Sequence, residues 1–459
     1  MLFNSFPFLF IFLPAALALH WVVERYLPQR RLLLLVVLSF VFYGYWDWRF
    51  LPLLMISILF NWIIAEVFAL YEYKLLISLA IIANLLVLGV FKYLNFFTSL
   101  LPISDLNGLH TDLILPLGIS FFTFHHIMYL SDLRAGRAVR PDLVRYALYI
   151  AFFPQILSGP LVRWNEVRDQ FTDCIQERIR CADRCARGIM LLIIGLIKKV
   201  ILADPLSAYV NPVFQAAAEG KLPSVHDAWQ ATLGFTFQIY FDFSGYTDIA
   251  LGVALFFGVV LPQNFDSPYR SISLQDFWRR WHMTLSRFLR DYLYIPLGGS
   301  RNGLIVQVWA LFMTMALGGL WHGAGLTFVA WGVAHGVGLV VGVMWMRAGF
   351  HMPVLLGRAG TFLFVVMCWV LFRAQNFPSA LLIYKGLLGF APWGSAVEGL
   401  HVIAALALFV ISSSGPTAWV AVQRIPANIF SGAVFAVLFV LVAFKMMSAS
   451  EFQFIYFQF

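Results

Sequence analysis

Two short stretches hold the residues best suited to chemistry: Phe277–His282 (FWRRWH) and Gly318–Gly325 (GGLWHGAG), each with one histidine, in a chain otherwise built for lipid. Histidine is costly at membrane depth, so its presence there marks a buried polar contact or a reaction centre. A neutral imidazole can take a proton from a hydroxyl near neutral pH. Gly318, Gly319, Gly323 and Gly325 strip bulk from both sides of Trp321-His322, so backbone or substrate can approach closely. A purely structural histidine is the competing reading there. His282 has a different setting. Phe277, Trp281, Leu285, Phe288 and Tyr292 recur at helical spacing, which predicts one amphipathic helix over 275–292. Arg279, Arg280, Ser286, Arg287 and Arg290 fill the rest of that helix. It reads either as an interfacial anchor or as a basic platform for a phosphorylated group.

A third polar run, Gln238–Asp248 (QIYFDFSGYTD), sets Asp242 and Asp248 within an apolar stretch. Carboxylates there must be paired or face water, and at least one is expected to support an arginine or a histidine. His335, between Gly332 and Gly336, predicts an interhelical hydrogen bond. His125 and His126 are adjacent, so they point to different helix faces, and their role stays open. Cys174, Cys181, Cys185 and Cys368 make neither a disulfide framework nor a metal-ligand set. The sequence has no Gly-x-Ser-x-Gly elbow, Walker loop or metal-ligand cluster. That argues against a serine hydrolase or an ATPase and leaves histidine-assisted transfer, with no metal and no bound cofactor.

The elements that must position these residues are membrane helices. The chain is 61% hydrophobic and only 12% charged, and 15 Trp and 17 Tyr supply interface anchors. Apolar runs follow one another from end to end without a Gly/Ser/Pro linker, so residues 1–459 read as one membrane-embedded domain. The runs fall at about 5–23, 32–48, 50–70, 75–92, 112–130, 187–203, 229–262, 304–320, 325–346, 359–377, 399–413 and 429–447. They predict an all-α polytopic protein of about 11–12 transmembrane helices. The stretch 148–160, with two prolines, looks re-entrant or interfacial. Arg25, Arg30 and Arg31 place the first loop in the cytoplasm, and the basic stretches 131–147 and 163–187 agree. The run 229–262 is too long for one straight span and short for two, so a break at Gly245 is expected. On that count His282 faces the cytoplasmic half.

PLGISFFTFHHIMYLSD, FFPQILSGPLVR, QIYFDFSGYTDIALG, NFDSPYRSISLQDFWRRWHMTLSRFLRDYLYIPLGG and WHGAG together resemble the motifs of the membrane-bound O-acyltransferase family, in unbroken order along the chain. Within that family the chain is most similar to the bacterial branch serving alginate and other exopolysaccharide O-acetylation. The resemblance implies broken, re-entrant and interfacial helices around a central funnel in the bacterial inner membrane. It implies acetyl transfer from acetyl-CoA, a cytoplasmic thioester substrate, toward an acceptor beyond the membrane. The family's catalytic histidine falls at His322 and its second motif histidine at His282, with Trp321, Asp242, Asp248 and Ser286 in support. Arg279, Arg280, Arg287 and Arg290 are the candidates for the CoA phosphates. The tail Glu451–Phe459 reads from its residues as an aromatic interfacial plug; its closing FIYFQF is also similar to a C-terminal family motif whose tyrosine is implicated as an acyl carrier, which would make Tyr456 a relay. Expected partners are membrane lipid, a periplasmic acetyltransferase and the exopolysaccharide machinery, with no nucleic acid. The alternatives are O-acetyl or D-alanyl transfer to peptidoglycan, teichoic acid or lipid, and a non-enzymatic transporter.

Overall fold

The computed structural model describes residues 1–100, 114–157, 159–171, 181–395 and 399–448, and every regular element among them is helical. The protein is an all-α, multi-pass membrane protein. Among the described residues, seven helices are long and apolar enough to cross a bilayer: Pro7–Tyr26, Trp48–Tyr71, Lys74–Phe96, Gly303–His322, Leu326–Arg347, Val354–Arg373 and Ile429–Met447. Val402–Ser414 and Ala418–Arg424 form a bent apolar pair with an angle of 73° between them, the geometry of a broken span or a re-entrant loop. Gly415-Pro416 lies at the bend, where proline cannot continue the helix. Other apolar runs take different forms. Arg31–Trp46 and Ile119–Arg134 are helices of 16 residues each, about 24 Å long and so short of the hydrocarbon thickness.

Two expectations from sequence are corrected. The run expected to break at Gly245 is one continuous helix, Val225–Phe256. Gly245 serves a close approach instead: a Cβ there would lie 2.8 Å from the Gly195 carbonyl oxygen and 3.1 Å from the Lys199 nitrogen. One glycine within a long helix costs only about 1 kcal/mol, so no break is forced. The stripe over 275–292, in contrast, does break. It forms two short helices, Leu274–Arg280 and Met283–Leu289, with Trp281 extended and His282 left-handed at φ 42° between them. Phe277, Trp281, Leu285 and Phe288 are buried in protein, so the apolar stripe packs inward.

The chain divides into two compact units, each described by itself. The first holds the described residues of Met1–Ile193, Tyr246–Pro262 and Pro426–Ala433. Its membrane helices are joined by polar contacts that satisfy groups lipid cannot. Asn61 and Asn84 exchange side-chain hydrogen bonds, Nδ2 of each donating to Oδ1 of the other at 3.1 and 2.7 Å. Arg31, assigned to a loop by charge, is buried: its Nε donates to His20 Nε2 at 3.2 Å and its guanidinium also bonds the Phe257 carbonyl.

The second unit holds Ile194–Gly245, Gln263–Ile425 and the described residues from Val434 onward. Its central feature is the hairpin of Gly303–His322 and Leu326–Arg347. A Cβ on Gly332 would lie 2.2 Å from the Met315 carbonyl oxygen, and one on Gly319 would lie 2.3 Å from that of Phe328. Only hydrogen fits at either position, so the two glycines set the helix separation. Lys199, on the π-helical turn Ile197–Ala203, bridges Asp204 and Asp242. Asp242 is thus paired with a lysine, as a carboxylate within an apolar stretch requires. Asp248 lies in the first unit and is half-buried.

Candidate active site

His322 is the last residue of the Gly303–His322 helix, and Gly323 leaves that helix in extended conformation. The chain re-enters a helix at Leu326, so the Gly323-Ala324-Gly325 turn carries the histidine at the tip of the glycine-packed hairpin. The imidazole is only 5% exposed and lies edge-on to Trp331 and Phe372, with ring centres 5.1 and 5.3 Å away. Trp331 comes from the returning helix and Phe372 from Val354–Arg373, so three membrane helices build this aromatic cage.

Trp321 is a ring neighbour of both motif histidines. Its ring centre is 4.8 Å from that of His322 and 6.4 Å from that of His282. The tertiary fold therefore gathers Trp321, His322 and His282, which the sequence separates by 40 residues. His282 is completely buried, edge-on to Phe243 at 4.7 Å. Its Nδ1 lies 3.2 Å from Asn264 Oδ1, which also accepts from the Thr284 backbone N–H at 3.2 Å and the Thr284 hydroxyl at 2.7 Å. Burial in this apolar surround pushes the His282 pKa down to about 3, so the ring is neutral. Its left-handed backbone costs about 1–3 kcal/mol and is held by two backbone bonds, Met283 N–H to the Asn264 carbonyl and Ser286 N–H to the His282 carbonyl, each 2.9 Å.

The arginines of this segment divide. Arg280 is committed to the protein, with Nε 2.8 Å from Asp276 and Nη1 2.7 Å from Asp266. Arg290 pairs with its neighbour Asp291, whose carboxylate holds the guanidinium pKa up. Arg287 is half-buried and Arg279 is exposed. The Ser286 hydroxyl donates to the Trp281 carbonyl at 3.1 Å, closing the turn that bears His282. Asp242 belongs to the lysine bridge. Tyr456 and Cys174 lie outside the described residues. Among those residues no group of three or more His, Cys, Asp or Glu side chains is placed to hold a metal.

Other histidines find structural partners. Trp278 Nε1 donates to His335 Nδ1 at 3.3 Å, the interhelical bond its setting predicted. In the first unit His125 Nδ1 donates to the Phe121 carbonyl at 2.8 Å, and its Nε2 accepts from Val162 N–H at 3.3 Å. His126 Nδ1 meets the Tyr146 hydroxyl at 2.8 Å and Nε2 the Ser57 hydroxyl at 3.4 Å. Sequence reasoning missed Asn264, Thr284, Phe243, Trp331 and Phe372. Asn264 opens the quoted NFDSPYR motif, an available signal; the aromatic residues resembled ordinary span residues.

Comparison with known proteins bears on this arrangement. The family described as "MBOAT, membrane-bound O-acyltransferase family" matches residues 67–383. A "Peptidoglycan O-acetyltransferase" of Helicobacter pylori is 40% identical, over 85% of this chain and 80% of its own length. A "Probable alginate O-acetylase AlgI" of Pseudomonas aeruginosa is 40% identical, over 86% of this chain and 76% of its own. A "Teichoic acid D-alanyltransferase" of Streptococcus thermophilus is 29% identical, over 56% of this chain and 64% of its own.

Proposed function

This chain belongs to the membrane-bound O-acyltransferase family, and we propose that, as a multi-pass O-acyltransferase of the bacterial inner membrane, it passes acetyl from cytoplasmic acetyl-CoA toward an exopolysaccharide such as alginate. The observation that carries the reading is the gathering of two buried imidazoles about Trp321, with His322 at the tip of a hairpin where one helix ends and the next begins.

A thioester is already activated, so the protein must supply a base, orientation and a dry site. His322 accepts the proton of the attacking hydroxyl as its oxygen bonds the acetyl carbon. The C–S bond breaks, and the imidazolium returns the proton to the CoA thiolate. Tyr456 is the first acceptor in this scheme, giving an acetyl-tyrosine that a periplasmic acetyltransferase and the polysaccharide machinery then draw on. Arg279 and Arg287 offer charge to the CoA phosphates from the segment bearing His282.

A second reading keeps the chemistry and changes the acceptor to peptidoglycan; the name of the Helicobacter relative favours it. The test is cleavage of labelled acetyl-CoA by the purified protein, with wild type compared with His322→Ala and Tyr456→Phe. Label appearing on the wild-type chain and lost in both variants is the expected result. Undiminished CoA release by His322→Ala would remove His322 from the chemistry. Undiminished acetyl export by Tyr456→Phe would remove the relay alone.

A further inference from the structure

The hydrogen bonds around Asn264 fix which nitrogen of His282 carries the proton. The Thr284 backbone N–H can only donate, so the Asn264 atom it meets at 3.2 Å is the carbonyl oxygen and the amide orientation is settled. That oxygen can only accept, so the His282 Nδ1 that faces it at 3.2 Å must be N–H. In a neutral ring Nε2 is then a bare lone pair. It is buried and meets no hydrogen-bond partner among the described residues. A buried acceptor left empty costs about 1–3 kcal/mol, and the strained left-handed backbone at His282 adds to that cost. Both features point to a donor brought by the substrate.

The attacking hydroxyl has one proton, and in the reading above it goes to His322. The donor left over is on the thioester side. Every pantetheine thioester, on CoA or on a carrier protein, has an amide N–H two carbons from the sulfur. We propose that His282 Nε2 accepts the hydrogen bond of this amide and so sets the register of the thioester against His322, with Asn264 as the positioning residue that holds the required tautomer. This rests on the acyltransfer reading and specifies its donor subsite. A donor-side role also explains why the ring is locked as an acceptor, since a group polarising the thioester carbonyl would have to donate.

The test uses two small thioesters as competitors of labelled acetyl-CoA cleavage, which reads binding whether or not they turn over. One is S-acetyl-N-acetylcysteamine; the other replaces its amide by an ester and lacks the N–H. The wild-type protein is expected to prefer the amide by about 10- to 100-fold. His282→Ala and Asn264→Ala should bring the preference to within about twofold, while Asn264→Asp, which keeps an oxygen acceptor, should retain it. Equal competition by the two thioesters in the wild type, including none by either, overturns the proposal and needs no variant to fold. A preference that survives His282→Ala overturns it too. Acetyl-CoA cleavage that persists in His322→Ala is a different failure, that of the reading on which this subsite rests.

Discussion

The Lys199 ammonium lies 2.6 Å from Asp242 Oδ1, and both side chains are 1% exposed. Asp204, 12% exposed, lies at the same distance from the ammonium. Breaking a buried ion pair strands an uncompensated charge, whereas removing both partners does not. Lys199→Met should therefore destabilise the protein by about 3–5 kcal/mol. Lys199→Met combined with Asp242→Leu should recover part of that loss. Thermal unfolding in detergent checks this; a double variant no better than the single one would contradict the pairing argument.

Arg279 and Arg280 are neighbours with opposite commitments. Arg280 spans Asp266 and Asp276, so Arg280→Ala should lower stability by about 1.5–3 kcal/mol, the worth of hydrogen bonds to charged groups. Arg279 is exposed, so Arg279→Ala should leave the melting temperature unchanged and raise the KM for acetyl-CoA severalfold. Measuring both quantities for both variants separates structure from donor binding.

Gly332 sits where a methyl group would meet the Met315 carbonyl oxygen at 2.2 Å. Gly332→Ala should force the hairpin apart, cost about 1–3 kcal/mol and displace His322 at its tip. The expected result is a lower melting temperature together with a fall in kcat. Unchanged values of both would mean that the hairpin yields without strain.

Acid should destabilise the protein partly through His282. Its pKa lies at about 3 in the fold against 6.5 ordinarily, so the unfolded chain binds the proton more readily. The stability its neutral ring contributes is full above pH 6.5 and is lost as pH falls toward 3. His282→Gln should therefore lose less melting temperature than wild type between pH 7 and pH 5. An equal loss in both proteins would show that other groups set the acid response.

The sequence by itself determined the membrane class, the positions of most helices, the two histidine motifs and the family. Each of these is written along the chain: apolar runs have a length, and motifs have an order. Periodicity could not show the break at Trp281-His282, because a stripe of apolar residues continues through a left-handed residue unchanged. It could not assign Lys199 to Asp242, Asn264 to His282, or Asp266 to Arg280 either. Those partners are chosen in space, where a buried polar group must take whichever complementary atom the fold brings within about 3 Å. His125 and His126 stayed open in the sequence for the same reason, and became structural once Val162 and Tyr146 were seen to satisfy them. Only the tertiary structure could set Trp321 beside both imidazoles, because the hairpin glycines and the bent segment that meet there are far apart in the chain.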